Sequence, residues 1–177
     1  HEGIANEAKK FGLDAPFMRP DELSGDLIGD LDVLTHALLQ SEAIYGLKYD
    51  LVLMLQPTSP SRTADHIYQV LDKMIDGDYD SVWTISEIDK KYHPLKQIEI
   101  KDGMMRLYDS KGLEIIARQQ LSQLYYRNGV AYLIKREVLI DNQSLIGKKP
   151  GAIVLDGYFA NIDTISDLEI AEKLSES

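Results

Sequence analysis

Three stretches of the sequence set chemically capable side chains at short spacing. In Leu55-Gln56-Pro57-Thr58-Ser59-Pro60-Ser61-Arg62, two prolines fix the backbone and leave Gln56, Thr58 and Ser59 as polar groups. These either meet a ligand or cap the next helix. A second set places cations in an otherwise acidic chain: Tyr92-His93-Pro94-Leu95-Lys96, Arg118-Gln119 and Arg127-Asn128-Gly129. Arg suits bidentate recognition of carboxylate or phosphate, whereas Lys acts as a point charge. For any single one of these cations, a solvated surface pair is the plainer account. The third is Asn161-Ile162-Asp163-Thr164, where an amide and a carboxylate two residues apart in an extended segment project to the same side. There both oxygens could reach one hard cation such as Mg²⁺; alternatively, Asp163 and Thr164 simply open a helix. The histidines, at positions 1, 36, 66 and 93, have no metal-ligand spacing, and the sequence has no Ser-His-Asp arrangement or Gly-rich phosphate loop.

These groups can converge only if the elements between them alternate. A helical pattern over residues 4–11 is closed by Gly12, and the two prolines in residues 15–20 make an extended connector carrying Arg19. Leu27, Leu31, Leu34, Leu38 and Leu39 then predict a long amphipathic helix from 26 to about 45. The apolar run from Tyr49 to Leu55 reads as a strand buried on both faces, with the Gln56 loop at its C-terminal end. Thr63 caps a predicted helix to about residue 75, whose inner stripe is Ile67, Val70, Leu71 and Met74. Strands are expected over 80–85, 130–134 and 152–155, and a short helix over 136–140. A final helix over 164–174 is opened by the Thr164-x-x-Asp167 capping box. Between them, residues 97–108 read as a β-hairpin about Asp102-Gly103. The alternation predicts a mostly parallel sheet covered by helices, with an inserted antiparallel arm at about 90–125. The three chemical stretches fall beyond carboxyl ends of strands, where open α/β sheets bind ligands.

Composition narrows the partners. The 177 residues suit one well-cored domain. Nineteen Lys and Arg against 29 Asp and Glu give a net charge of −10, which argues against binding nucleic acid or an anionic membrane surface. With no cysteine, a disulfide scaffold or thiolate metal site is excluded. The longest apolar runs are far shorter than a membrane span, so a cytoplasmic protein is expected. The chain opens at His1, already inside a helical pattern.

The motifs Arg19-Pro20-x-Glu22-Leu23-x-x-Asp26, Leu55-Gln56-Pro57-Thr58-Ser59-Pro60-x-Arg62, His93-Pro94-Leu95-Lys96, Arg118-Gln119-Gln120-Leu121, Asn128-Gly129-x-x-Tyr132 and Ile162-Asp163-Thr164-x-x-Asp167-Leu168 occur in this order. The series resembles the acylneuraminate cytidylyltransferases, the CMP-sialic acid synthetases, over essentially the whole chain. The Gln-Pro-Thr-Ser-Pro loop and the Asn-Gly-x-x-Tyr strand are its most diagnostic parts.

The resemblance implies a Rossmann-like α/β fold of the nucleotide-diphospho-sugar transferase type, with a mostly parallel sheet, helices on both faces and residues 90–125 as a dimerisation arm. It implies a homodimeric nucleotidyltransferase that uses Mg²⁺ to transfer CMP from CTP to a sialic-acid-like nonulosonic acid, releasing pyrophosphate. Carried over by position, Arg19 would contact the nucleotide and Gln56 the sugar. Lys96 and Arg118 would hold the sugar carboxylate from the arm of a second subunit, Arg127 and Asn128 would help bind the sugar, and Asp163 with Asn161 would ligate Mg²⁺. Gln56, Lys96, Arg118 and Asp163 would form the catalytic set.

The sequence departs from the pattern at four points. Members of the family open with a strand and a basic Ala-Arg-x-x-Ser-Lys-like loop for the CTP phosphates. That loop is not in these residues, so an N-terminal β-α-β unit of roughly 30 residues or more is expected upstream. Asn161 stands where many members carry Asp, Tyr126 where a base is usual with Arg127 beside it, and Asp30 where a small hydroxyl is expected. Two alternatives follow: a non-catalytic fragment or pseudoenzyme that keeps the fold and arm, or a nucleotidyltransferase for a different sugar. The pocket that would select the sugar falls in the weakly patterned stretch 145–159.

Overall fold

Helical spacing becomes helix in this protein where the flanking residues permit it. In the computed structural model, which describes residues 1–157 and 159–175, α1 is Glu2–Lys10 and Gly12 beyond it takes a φ of +76°, as glycine readily does. Helix α2 is Asp30–Tyr45, beginning four residues later than its apolar spacing predicts. Glycines at 25 and 29 flank the intervening turn, where Ile28 N–H bonds the Gly25 carbonyl. Leu27, expected on the inner stripe, is 99% exposed. The other elements are β1 (Leu51–Met54), α3 (Ala64–Asp76), β2 (Ser81–Glu87), β3 (Ile98–Lys101), β4 (Met104–Leu107), β5 (Tyr125–Lys135), α4 (Arg136–Ile140), β6 (Pro150–Val154) and α5 (Ile165–Ser175). Four short 3₁₀ turns lie between β2 and β5.

The larger sheet has the order β1-β5-β2-β6. Strand β5 is antiparallel to β1, with Val52 opposite Ile134 and Met54 opposite Tyr132. Its bonds to the chain around β2 run from Lys135 N–H to Asp80 O at one end and between Leu124 O and Ile88 N–H at the other, again antiparallel. Asp80 N–H to Lys149 O and Leu155 N–H to Ile85 O make β2 and β6 parallel. Three strands therefore share one direction and β5 opposes them. Strand β1 ends the order, which explains why it is half-buried and not covered on both faces as its unbroken apolar run suggests. Among the described residues no helix is long and apolar enough to cross a membrane.

The chain divides into two compact units, and β2, β5 and β6 each contribute residues to both. The first comprises His1–Leu55, Ile67–Trp83 and Ala131–Gly151. Its core is Leu38, Ile134, Val138 and Leu139, packed with Leu31, Leu34, Tyr49 and Val52. Trp83 and Tyr132 meet as tilted rings 4.8 Å apart, and Phe17 sits edge-on to His36. The second unit comprises Gln56–His66, Thr84–Val130 and Ala152–Ser177. It holds the β3–β4 hairpin, a separate two-stranded sheet turned by Asp102 and Gly103 at φ of 54° and 75°. Positive φ at both turn residues matches the twist of the flanking strands.

One charged cluster joins α2, α4 and the chain entering β1 in the first unit. Buried Glu42 accepts from Arg136 Nε (2.7 Å) and Nη2 (3.1 Å), from Lys48 Nζ (2.8 Å) and from Tyr49 N–H (3.3 Å). The Arg136 bonds, then the Lys48 bond, pull its carboxyl from 4.5 down to about 2. An unfolded Glu42 would take up its proton near pH 4.5, while the folded one resists until about pH 2. Its stabilising contribution is therefore complete above the higher value and lost as pH falls towards the lower. Glu42→Gln is expected to lower the urea midpoint at neutral pH and to flatten the decline between pH 4.5 and 2. Equal declines in the two proteins would exclude Glu42 as the responsible group.

Candidate functional site

Gln56 and Asn128, 72 positions apart, meet in the second unit through main-chain bonds. Gln56 N–H donates to Gly129 O (3.3 Å) and Ser59 N–H to Gln56 O (3.2 Å), closing a turn through the two prolines. Ser59, almost fully buried, donates from Oγ to Asn128 O at 3.0 Å. Arg62 reaches back over the loop. Its Nη2 donates to Gln56 O (2.7 Å) and Gly129 O (3.3 Å), and its Nε donates to Val130 O. Withdrawal from water lowers the Arg62 pKa. The loop is therefore more than a crossover, because its polar groups are bonded to β5.

Asn128 is only 3% exposed. Its Oδ1 accepts from Thr84 Oγ1 (2.7 Å) and Val130 N–H (3.2 Å), and its Nδ2 donates to Ser86 Oγ (3.0 Å). The amide is thus committed within the protein, and in this conformation it fixes the strand. Arg127, the preceding residue, is exposed, as are Tyr125 and Tyr126 before it. Gly129 follows with a φ of +74°, inside a run that is buried from Asn128 to Ile134. A Cβ at Gly129 would fall 2.4 Å from both Gln56 Oε1 and Ser59 Oγ.

Asp163 belongs to the same network. Ile162 N–H donates to Thr58 O at 2.9 Å, tying the Asn161–Asp163 stretch to the proline loop. Asn161 Nδ2 donates to the Asp163 carboxylate. Asp167 serves α5: its Oδ2 accepts from Thr164 N–H (2.8 Å), Thr164 Oγ1 (2.8 Å) and Asp163 N–H (3.1 Å). The capping box read from sequence is present, and the Thr164 bonds, hydroxyl first, lower the Asp167 pKa. The helix-opening reading of this stretch is therefore realised. Asp163 and Thr164 open the helix, while Asp163 stays exposed beside a hollow of about 410 Å³ lined also by Ile162, Ile165 and Leu168. Among the described residues no three His, Cys, Asp or Glu side chains gather as a metal cage. One exposed carboxylate next to an amide does fit Mg²⁺, which retains water and takes ligands from substrate phosphates.

Lys96 and Arg118 come together elsewhere in the second unit, lining a hollow of about 310 Å³ with Leu95, Leu107 and Leu121. Buried His93 shapes its rim. Its Nδ1 accepts from Leu95 N–H (3.2 Å), and its carbonyl accepts from Lys96 N–H (2.8 Å). Arg118 is exposed and lies 3.5 Å from Asp89, whose pKa is lowered chiefly by the Lys91 N–H. Arg19 lies in the first unit, with Nε 3.2 Å from Ser24 Oγ. Of the eight sequence-derived residues, the proline-loop network joins Gln56, Asn128, Asn161 and Asp163. Lys96 and Arg118 share the arm hollow, Arg127 directly precedes Asn128 in β5, and Arg19 belongs to the first unit. Sequence reasoning missed Thr84 and Ser86, although two hydroxyls two apart in a strand lie on one face. It also gave Arg62 no role beyond its place in the motif.

No family model matches the chain. Curated relatives match nearly all of it. The post-translational flagellin modification protein B of Campylobacter coli is 29% identical over 98% of this chain and 73% of its own length. The CMP-N,N'-diacetyllegionaminic acid synthase of Campylobacter jejuni is 28% identical over 97% and 72%. The N-acylneuraminate cytidylyltransferase of Streptococcus agalactiae is 30% identical over 85% of this chain but only 35% of its own. The solved structure of a CMP:2-keto-3-deoxy-manno-octonic acid synthetase complexed with CTP superposes with a TM-score of 0.64 at 14% identity, covering 99% of this chain and 78% of that one. This likeness establishes the shared α/β fold.

Gly129→Ala tests the network without touching a charge. The added methyl meets Gln56 and Ser59 in a backbone conformation that L side chains seldom adopt, so a cost of about 1–3 kcal/mol is expected. Urea unfolding of the variant against wild type measures it, and an unchanged midpoint would show the contact to be slack.

Proposed function

From a chain related by sequence to the acylneuraminate cytidylyltransferases, we propose a nucleotidyltransferase that moves CMP from CTP to a sialic-acid-like nonulosonic acid. The observation that carries this reading is the single network joining Gln56, Asn128 and Asp163, in a chain with relatives named CMP-N,N'-diacetyllegionaminic acid synthase and N-acylneuraminate cytidylyltransferase. The sugar's anomeric hydroxyl forms a bond to the α-phosphorus while the bond from that phosphorus to the bridging oxygen breaks, and pyrophosphate leaves. The work of the protein is positioning and charge neutralisation.

Gln56, held rigid by its loop, orients the sugar, with Arg127 offering a nearby cation and Asn128 fixing the strand between them. Lys96 and Arg118 supply positive charge for the sugar carboxylate, and Arg19 is assigned to the nucleotide. Asp163, with Asn161 beside it, is the residue to hold Mg²⁺; when bound, that ion neutralises charge on the triphosphate. The arm supports a homodimer because Ile98, Ile100, Met104 and Met105 are all exposed on the hairpin, an apolar area of the kind that marks an interface. Lys96 and Arg118 would then serve the site of a second subunit. The cytoplasm, where CTP is made and used, is the proposed location.

Asn161 favours one further reading. Its amide is bonded to the Asp163 carboxylate and adds no negative charge, as suits a chain that binds sugar and nucleotide without turnover. Neither reading names the sugar, since the stretch 145–159 is weakly patterned and its residue 158 lies outside the described residues.

Release of pyrophosphate from CTP is expected only when Mg²⁺ and a nonulosonic acid are both present. A folded protein that binds CTP yet stays inactive with sialic, legionaminic and pseudaminic acids would favour the non-catalytic reading. Arg118→Ala is expected to weaken sugar binding by about ten- to a hundredfold, the value of a hydrogen bond to a charged group. CTP affinity should be unchanged, and titration calorimetry with each substrate separates the two; a loss on the CTP side would reassign Arg118 to the nucleotide.

A further inference from the structure

Arg62 is a partly buried cation whose polar contacts are all main-chain carbonyls. Among the described residues no carboxylate lies within ion-pair distance of it, and its guanidinium meets the carbonyl oxygens of Gln56, Gly129 and Val130. Drawing a guanidinium from water without a counter-charge is costly, yet its planar fork can bind several acceptors at fixed angles. The three acceptors have one thing in common. One belongs to Gln56 itself, and the others to the two residues after Asn128, including the glycine whose missing Cβ leaves room for Gln56 Oε1. The cation therefore sets the distance between the loop and β5, and with it the place of the Gln56 side chain.

We infer that Arg62 is a positioning residue for the sugar end of the site, acting through Gln56 by clamping the three carbonyls. The inference rests on the reading of the site as one of CMP transfer in which Gln56 faces the sugar. Chemistry separates a clamp from a local charge. Lysine retains the charge but lacks the planar fork, so it would replace Arg62 as a charge and fail as a clamp.

The test uses the full chain, with pyrophosphate release measured against CTP and against a nonulosonic acid in Mg²⁺, for wild type, Arg62→Lys, Gln56→Ala and the double variant. Amide hydrogen exchange at Gln56 and Ser59 is followed without substrates. Arg62→Lys is expected to raise the sugar KM about tenfold, to leave the CTP KM within about twofold, and to add nothing in the Gln56→Ala background. Exchange at both amides should quicken by about tenfold in a variant whose circular dichroism is native. Full activity in Arg62→Lys, equal effects on both substrates, additivity with Gln56→Ala, or unchanged exchange in the folded variant would each overturn it. If wild type releases no pyrophosphate with any sugar, the reaction reading fails, and the exchange rates alone decide whether Arg62 is the clamp.

Discussion

The turn of backbone at Gly129 is the constraint on which the candidate site depends. A positive φ in a buried strand turns the backbone where the proline loop meets it, and the carbonyls of residues 128 to 130 accept from that loop. The proline loop supplies the donors: Ser59 for Asn128, Gln56 and Arg62 for Gly129, and Arg62 for Val130. From this one irregularity follow the rigidity of the loop, the placing of Gln56, and through Thr58 and Ile162 the approach of Asp163.

The two units treat charge differently. In the first, Glu42 is enclosed by Arg136 and Lys48 and holds its carboxylate far below the ordinary range, as a fixed structural tie. In the second, Lys96, Arg118 and Asp163 remain exposed, where ion pairs are weak and solvent competes. Charges left in that condition are available to a ligand. A net charge of −10 is compatible with small anionic substrates because the relevant cations are local.

The helices were legible wherever apolar spacing and capping agreed, as at the Thr164 and Asp167 box, and the fully buried run of β5 was legible from its unbroken apolar residues. The chemical stretches were legible too, since proline loops and paired polar groups are local signals. What sequence could not show is non-local. The half-burial of β1 depends on its place in the strand order, the late start of α2 on two glycines that overrule Leu27, and the commitment of Asn128 on hydroxyls 44 and 42 positions away. The task of Arg62 was hidden for another reason, since residue types do not reveal where main-chain carbonyls point.

Strand β1 has a consequence for handling the protein. It is four apolar residues long, half-buried, and stands at the end of the sheet, with β5 its only partner among the described residues. Its outer row of peptide donors and acceptors is a template on which another extended segment can add. For these 177 residues on their own, association through this edge is opposed by the mutual repulsion of acidic chains. Salt, by screening that repulsion, favours strand-to-strand association and turbidity, while low ionic strength keeps the molecules apart.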